Sequence, residues 1–260
     1  MMHTRNNILC FTILSTLGAL SSGNAQAVDM KARAGIGFAY YELETPEIYG
    51  TVSAKNTSLN VGVTAGFGPI YVDAKVDTTL SGEHSTFATT DSLGTWGTST
   101  PTKEDFSRDE TTITIGYSVS ESLAVFAGFK STETELTAAT SLLIGWEADV
   151  FKADGIFVGG AFGMPVSDNS SISASVAVAA LDGDYTDSAF ITQTGDTTGI
   201  SFGLNYNLYL SDKSGISASW SYQQYEYAMG ADTNPNSGIT LAQDIVETYS
   251  NFGLSYFMAF

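Results

Sequence analysis

Histidine is the side chain that acid–base chemistry near neutral pH uses most often, and this sequence has only two, His3 and His84. His3 lies in an amino-terminal leader, so His84 alone remains in the mature chain. Its neighbours Glu83 and Ser85 point away from it in extended backbone, so sequence proximity creates no catalytic pair. Only a carboxylate from another strand could complete one. We therefore predict a solvated loop histidine, no catalytic residues and no enzymatic activity.

Carboxylates are plentiful, and oxygen ligands of this kind bind hard cations such as Ca²⁺. Asp182, Asp184, Asp187 and Asp196 lie close together, but their spacing does not match a twelve-residue calcium loop. Blocks of charge usually form a solvated surface. We predict surface acids, with no metal site and no cofactor, and keep divalent cations at the acidic loops as an alternative partner.

The overall charge excludes a nucleic-acid partner. The chain has 10 basic and 28 acidic residues, for a formal net charge of −18. Nucleic-acid binding requires basic side chains that displace counterions from phosphate. The excess of acids instead indicates cation binding or solubility at a cell surface.

The first 27 residues have the organisation of a secretory signal. One basic residue, Arg5, precedes an apolar run from Ile8 to Leu20, and small residues end at Ala25-Gln26-Ala27. We predict cleavage after Ala27 and a single domain over residues 28–260. Cys10 is the only cysteine and lies in this leader, so the mature chain should have no thiol nucleophile, disulfide or cysteine metal site.

The remainder of the chain alternates between apolar and polar residues. Charged residues make up 15% of the sequence, against about a quarter in soluble domains. After Ala27 no apolar run is long enough for a spanning helix. This combination is typical of strands that face lipid on one side and a lumen on the other, and it predicts an all-β transmembrane antiparallel up-and-down barrel.

About ten strands are predicted, with eight or twelve as alternatives. Their lipid faces include Ile36 and Phe38, Ile113 and Ile115, and Phe202 and Leu204. Five longer connections are predicted at Glu44–Thr57, Ser81–Asp109, Glu133–Asp154, Leu181–Thr198 and Glu226–Asp244. Leu142–Val150 and Tyr185–Gln193 also alternate and could be further strands.

Short turns, three of them with similar sequences, connect the other strand ends. Gly68-Pro69 makes one turn, and Ser-acid-Ser sequences begin after Val119, Val166 and Leu210. We assign the Ser-acid-Ser turns to the periplasmic side, together with both chain termini, and the long loops to the cell exterior.

The predicted lumen face combines small residues with a few charges. Gly35, Gly37, Gly128, Gly203 and several other glycines point inward, which indicates thin walls and either a narrow passage or a loop plug. The candidate inward charges are Asp73, Lys75, Asp77 and Lys130, which could filter ions or simply pair with one another.

The carboxyl terminus carries the most specific pattern. Phe252, Leu254, Tyr256, Met258 and Phe260 alternate on one strand face and end the chain. This ending resembles the last strand of bacterial outer-membrane β-barrel proteins, which the barrel-assembly machinery reads. The resemblance implies a bacterial outer-membrane location, with outer-membrane lipid, lipopolysaccharide and that machinery as partners.

Two functions are compatible with such a barrel. The first is that of a porin-like protein for passive passage of small solutes or cations. The second is that of a closed barrel whose acidic extracellular loops serve adhesion, binding or envelope integrity. An enzyme acting on lipid or peptide at the surface is a minor alternative, because such barrel enzymes need a histidine and only His84 is present.

Overall fold

The computed structural model describes residues 29–45, 50–84, 104–136, 149–186, 192–233 and 240–260, and they form one closed barrel of ten antiparallel strands. The strands are β1 (Asp29–Thr45), β2 (Gly50–Phe67), β3 (Ile70–His84), β4 (Glu104–Ser118), β5 (Leu123–Leu136), β6 (Asp149–Ser167), β7 (Ser170–Thr186), β8 (Thr192–Ser211), β9 (Ser214–Thr233) and β10 (Thr240–Ala259). Each strand pairs with its neighbours in sequence, and β1 pairs with β10. The predicted up-and-down transmembrane barrel is confirmed. No helix in these segments is long and apolar enough to cross a membrane.

One end of the barrel, here called the turn end, carries four short turns at 68–69, 119–122, 168–169 and 212–213, together with residues 29 and 260. Gly68 has a φ of 63°, which favours glycine. The predicted side-chain bonding is present in the serine turns. The Ser120 hydroxyl accepts the backbone N–H of Leu123 at 3.1 Å, and the Ser211 and Ser214 hydroxyls lie 2.8 Å apart. All four turns therefore lie at one end of the barrel.

The opposite end, here called the loop end, has longer strands than the sequence pattern predicted. The five predicted connections were too long, because β3 continues to His84, β4 begins at Glu104 and β7 continues to Thr186. Residues 46–49, 85–103, 137–148, 187–191 and 234–239 lie outside the described part of the chain. The alternating segment Leu142–Val150 therefore falls mostly there, and Asp149 and Val150 begin β6.

The outer face of the barrel has two zones. Near the turn end and along the middle it is apolar, as predicted, with Phe38, Ile156 and Phe252 more than half exposed. Toward the loop end it becomes acidic. We call this second zone the acidic collar, and its members are Glu42, Glu44, Glu83, Asp109, Glu133, Glu135, Asp154, Asp182, Asp184, Asp196 and Glu226.

The length of the strands accounts for the collar. β8, β9 and β10 each contain 20 residues, or about 66 Å of extended chain. Tilted by about 40°, such a strand rises about 50 Å, whereas the apolar band of a membrane barrel is about 25 Å tall. The strands therefore extend beyond the hydrocarbon layer and carry the collar into water.

At Gly116, Gly128 and Gly159 the inward glycines do not leave a thin wall, and there that interpretation was wrong. A Cβ added at Gly116 would lie 2.1 Å from the Tyr71 ring, and one at Gly159 would lie 2.6 Å from the Phe126 ring. Glycine at these positions leaves room for a large inward side chain on a neighbouring strand. The glycines therefore allow the interior to be filled.

Replacing one of these glycines should destabilise the barrel. A Cβ at Gly128 would lie 2.1 Å from the Ile113 carbonyl oxygen and 2.6 Å from the Phe157 ring. We expect Gly128→Val to cost about 1–3 kcal/mol, the usual cost of overpacking, measured as a lower urea midpoint for loss of the folded band in heat-modifiable gel mobility. Ala127→Val, on the lipid face of the same strand, is the matched control. Equal midpoints for the two variants would contradict this packing role.

Candidate functional site

Among the described residues, four ion pairs lie in the interior of the barrel and are distributed along its length. Their members are Arg33 with Asp73, Lys75 with Asp77, Lys130 with Glu110, and Arg108 with Glu247. The four charges that were selected from the sequence, Asp73, Lys75, Asp77 and Lys130, all lie in the lumen, and each is paired. Paired charges of opposite sign leave no uniform electrostatic filter along the wall.

The pair nearest the turn end has the most regular geometry. Two Arg33 guanidinium nitrogens donate to the two carboxylate oxygens of Asp73 at 2.7 and 2.8 Å. The Thr64 hydroxyl donates to the same carboxylate at 2.5 Å. Gly62 provides the space, since a Cβ there would lie 2.6 Å from the guanidinium carbon of Arg33. This bidentate pair links β1 to β3 across β2.

The pair nearest the loop end spans the bore. Arg108 on β4 donates to Glu247 on β10 and to the Thr134 hydroxyl at 2.6 Å. Tyr227 donates to the other Glu247 oxygen at 2.8 Å. Arg108 also lies 4.7 Å from the centre of the Tyr249 ring. β4 and β10 are four strands apart around the barrel, so this network connects nearly opposite walls.

A second network crosses the bore next to the first, on its turn-end side. The Lys130 ammonium on β5 donates to the Tyr225 hydroxyl on β9 at 3.0 Å and lies 3.2 Å from Glu110. Gln223 on β9 also donates to Glu110 at 3.4 Å, and β4 and β9 are five strands apart. In a barrel of ten strands that separation is the full diameter.

Apolar and aromatic side chains surround these networks. We call this set the loop-end core, and its buried members are Ala39, Tyr41, Leu43, Val52, Ala54, Phe106, Leu136, Phe151, Ala153, Leu181, Tyr225, Tyr227, Ile245 and Tyr249. The Tyr41 and Phe106 rings lie 4.9 Å apart, and Phe151 stacks on Tyr185 at 4.6 Å. Eight of the ten strands contribute to the core, which therefore fills the bore at that level.

The half of the lumen nearer the turn end contains space. A cavity of about 390 Å³ is bordered by Arg33, Asn60, Asn205 and Ser219 among others. A second, of about 240 Å³, lies toward the loop-end core and shares Lys75, Ser175, Gly203 and Ser221 with the first. The side-chain hydrogen bonds here join nearby strands, as between Ser217 and Asn205 at 2.5 Å. The lumen is thus filled at the loop end and partly empty toward the turn end.

The remaining residues selected from the sequence do not assemble into a site. His84 ends β3 and pairs in register with Ala54 and Glu104. Asp182 and Asp196 were expected in a loop, but they face each other across β7 and β8, and Asp182 also faces Asp154 on β6. Asp187 lies outside the described residues. Within the described ranges no group of three or more His, Cys, Asp or Glu side chains is placed to hold a metal ion.

Sequence reasoning missed Arg33, Arg108, Glu110 and Glu247. A signal was present, because Arg108 and Glu110 are two residues apart and in phase with Thr112, which points inward. Similarly, Glu247 is in phase with Tyr249 and Asn251. The predicted strands stopped where the outward face lost its apolar residues, and Arg108 therefore fell in a predicted loop.

Comparisons with known proteins support the fold. No protein-family model and no curated protein matches this sequence. Among solved structures, the outer membrane protease OmpT from Escherichia coli is similar, with a TM-score of 0.54 at 9% identity, covering 92% of this chain and 99% of that chain. The translocator domain of autotransporter NalP from Neisseria meningitidis matches at a TM-score of 0.42 and 11% identity, covering 95% and 94%. The likeness to OmpT shows that the chain shares the fold of a bacterial outer-membrane β-barrel.

Breaking the pair between Arg108 and Glu247 should strongly destabilise the barrel. Arg108→Met leaves the Glu247 carboxylate buried without its cation, for which we expect a cost of about 3–5 kcal/mol. The double variant Arg108→Met, Glu247→Met should regain part of the lost stability, because no unpaired charge is then left buried. The measurement is the free energy of unfolding in urea, in detergent micelles, followed by tryptophan fluorescence.

The outward pair between Lys152 and Glu133 supplies the control. Its nitrogen–oxygen distance is 3.2 Å, and its side chains are 48% and 45% exposed. Lys152→Met should cost less than about 1 kcal/mol, as for other exposed pairs. If Arg108→Met cost no more than Lys152→Met, the bridge across the bore would not hold the barrel together.

Proposed function

We propose that this protein is a closed outer-membrane barrel that acts through its loop end at the cell surface, as a binding or envelope-stabilising protein without enzymatic activity. The observation that carries the proposal is the set of polar bonds that cross the bore, from Arg108 to Glu247 and from Gln223 to Glu110. A solute could pass the loop-end core only if these bonds broke and the aromatic side chains moved. The acid–base groups that border the described cavities, such as Lys75, Asp77, Glu110 and Lys130, are held in ion pairs, which favours a structural role for them over catalysis.

The acidic collar is the surface on which the proposed function depends. Among the outward side chains described near the loop end, the bases are Lys55 and Lys152, against the eleven acids of the collar. Such a surface attracts cationic partners and repels anionic ones. Its position just above the apolar band suits contacts with cations at the lipopolysaccharide layer or with a basic surface of another protein.

The orientation in the membrane is part of this proposal. We place the turn end and both termini in the periplasm and the loop end outside, because long loops face outward in barrels of this kind. We further propose that Phe252, Leu254, Tyr256, Met258 and Phe260 are read by the barrel-assembly machinery. Phe252, Leu254, Tyr256 and Met258 lie on the lipid face of β10, Phe260 follows directly after that strand, and all five are exposed.

Passage of small solutes or cations remains the second candidate. The cavities of about 390 and 240 Å³ and the charges that border them favour it. A passage would require the loop-end core to open, so the two candidates differ in the conductance of the unmodified protein.

Planar-bilayer recordings of the refolded protein separate these candidates. We expect the wild type to be silent, and the double variant Tyr41→Ala, Tyr227→Ala to conduct, because it removes two rings that are at most 1% exposed. Tyr40→Ala, on the lipid face beside Tyr41, should remain silent. Steady, cation-selective current steps from the wild type would contradict the closed barrel and support the passage of solutes or cations.

Cysteine labelling tests the orientation. Glu226 lies in the collar and Asp212 in the β8–β9 turn, and both are exposed. A membrane-impermeant maleimide added to intact cells should label Glu226→Cys and leave Asp212→Cys unlabelled until the cells are permeabilised. The wild type controls for background labelling. If only Asp212→Cys were labelled in intact cells, the orientation would be the reverse of the one proposed.

A further inference from the structure

The larger cavity at the turn end has the properties of a ligand site. Its volume of about 390 Å³ is within the range of about 300–1,000 Å³ for small-molecule sites. Lys31, Ser255 and Phe257 border it close to the two ends of the chain, and Asn207 borders it close to the β8–β9 turn. The cavity therefore extends toward the turn end, while the loop-end core closes the other side of the lumen.

The lining is rich in hydroxyl and amide groups. Ser173, Ser217 and Ser219 are among the serines that contribute hydroxyls, and Asn60, Asn205 and Asn207 are among the asparagines that contribute amides. Each of these groups both donates and accepts hydrogen bonds. A wall of this chemistry fits a ligand with several hydroxyls better than an apolar one.

Two buried acceptor atoms on this wall have no partner among the described residues. They are Oδ1 of Asp77 and Oδ1 of Asn251, whose side chains belong to residues only 7% and 8% exposed. Lys75 contacts the other Asp77 oxygen at 2.5 Å, so Oδ1 remains open. Buried acceptors without a donor cost free energy. Both oxygens are covered by neighbouring atoms, so a ligand or water that donates a hydrogen bond recovers this cost once the side chain rotates toward the cavity.

The charges at the cavity favour an anion. Arg33 is neutralised by Asp73, and Lys75 by Asp77. Lys31 has no carboxylate partner within the described residues, and its ammonium instead lies 3.7 Å from the centre of the Phe257 ring. Among the side chains that border the cavity, one positive charge is thus unmatched.

We propose that this cavity binds a small polyhydroxylated anion, a compound of the sugar-acid class. Its hydroxyls donate to Asp77 and Asn251 and exchange hydrogen bonds with the serines, while its carboxylate lies near Lys31. This activity would be separate from that of the acidic collar, which is on the outer face at the opposite end.

Isothermal titration calorimetry of the refolded protein in detergent tests the proposal, with glucuronate as the probe. We expect saturable binding with a Kd of about 1 mM or tighter. Glucose lacks the carboxylate and loses its charge-assisted hydrogen bonds, whereas butyrate lacks the hydroxyls and loses their neutral hydrogen bonds. Each should therefore bind at least about tenfold more weakly than glucuronate.

Four variants, one of them a control, locate the binding. Ser219→Leu fills the cavity from β9 and should weaken glucuronate binding by more than about tenfold, whereas Ala218→Leu, its neighbour on the lipid face, should not change it. Lys31→Gln should reduce the preference for glucuronate over glucose by about tenfold. Ser173→Leu fills the cavity from β7 and replaces Ser219→Leu if that variant does not fold by gel mobility.

Either of two outcomes would overturn the proposal. The first is no saturable heat with glucuronate, which would mean that water alone satisfies Asp77 and Asn251. The second is binding of the same strength in the wild type and in a cavity-filling variant that folds, which would place the ligand elsewhere. The proposed surface function does not depend on either result, because it is tested by conductance and labelling.

Discussion

Pairing between β1 and β10 is the interaction on which the rest of the structure depends. Within a bilayer no water is available to an unpaired N–H or C=O group, and each such group costs several kcal/mol. Fourteen residue pairs, from Lys31 with Ala259 to Glu44 with Val246, join the first strand to the last. Closure removes both sheet edges and fixes which side of every strand faces inward. The interior networks exist because closure brings distant parts of the chain face to face.

Closure also explains why the two halves of the lumen differ. In a ten-stranded barrel the bore is narrow enough for long side chains on opposite walls to meet, as Arg108 and Glu247 do. Where the inward residues are serine, asparagine and glycine, opposite walls cannot reach each other and space remains. The choice of inward residues along each strand therefore decides whether a level of the barrel is filled or hollow. The protein has both arrangements: its lumen is filled at the loop end and partly hollow toward the turn end.

The fold was largely predictable from the sequence, because alternation in the membrane zone is imposed by lipid on one side. Ile113, Ile115 and Tyr117 had to face outward, and the serine turns had to reverse the chain. The strand ends could not be predicted in the same way, since lipid no longer constrains the outward face above the apolar band. Glu44 and Asp182 were therefore predicted as loop residues.

The interior was predictable only in part. The inward direction of Asp73, Lys75, Asp77 and Lys130 follows from alternation within each strand. Their partners do not, because Arg33 with Asp73 and Lys130 with Glu110 depend on the register between strands. The glycines were misinterpreted for a related reason. The side chain that fills the space beside Gly116 is Tyr71 on another strand, and one strand's sequence does not reveal it.

The row of aspartates on the outer face makes the stability of the loop end sensitive to ionic strength, unlike that of the rest of the barrel. Asp154, Asp182 and Asp196 lie side by side on β6, β7 and β8, and like charges directly opposite one another destabilise a sheet. Dissolved ions screen this repulsion in water, with a Debye length of about 8 Å at physiological ionic strength, but cannot reach the strands inside the bilayer. Fraying of these strand ends should therefore depend on the ionic strength of the water at the loop end, whereas the stability of the membrane-embedded strands should not. Added salt would hold the ends of β6, β7 and β8 together, and its removal would let them separate.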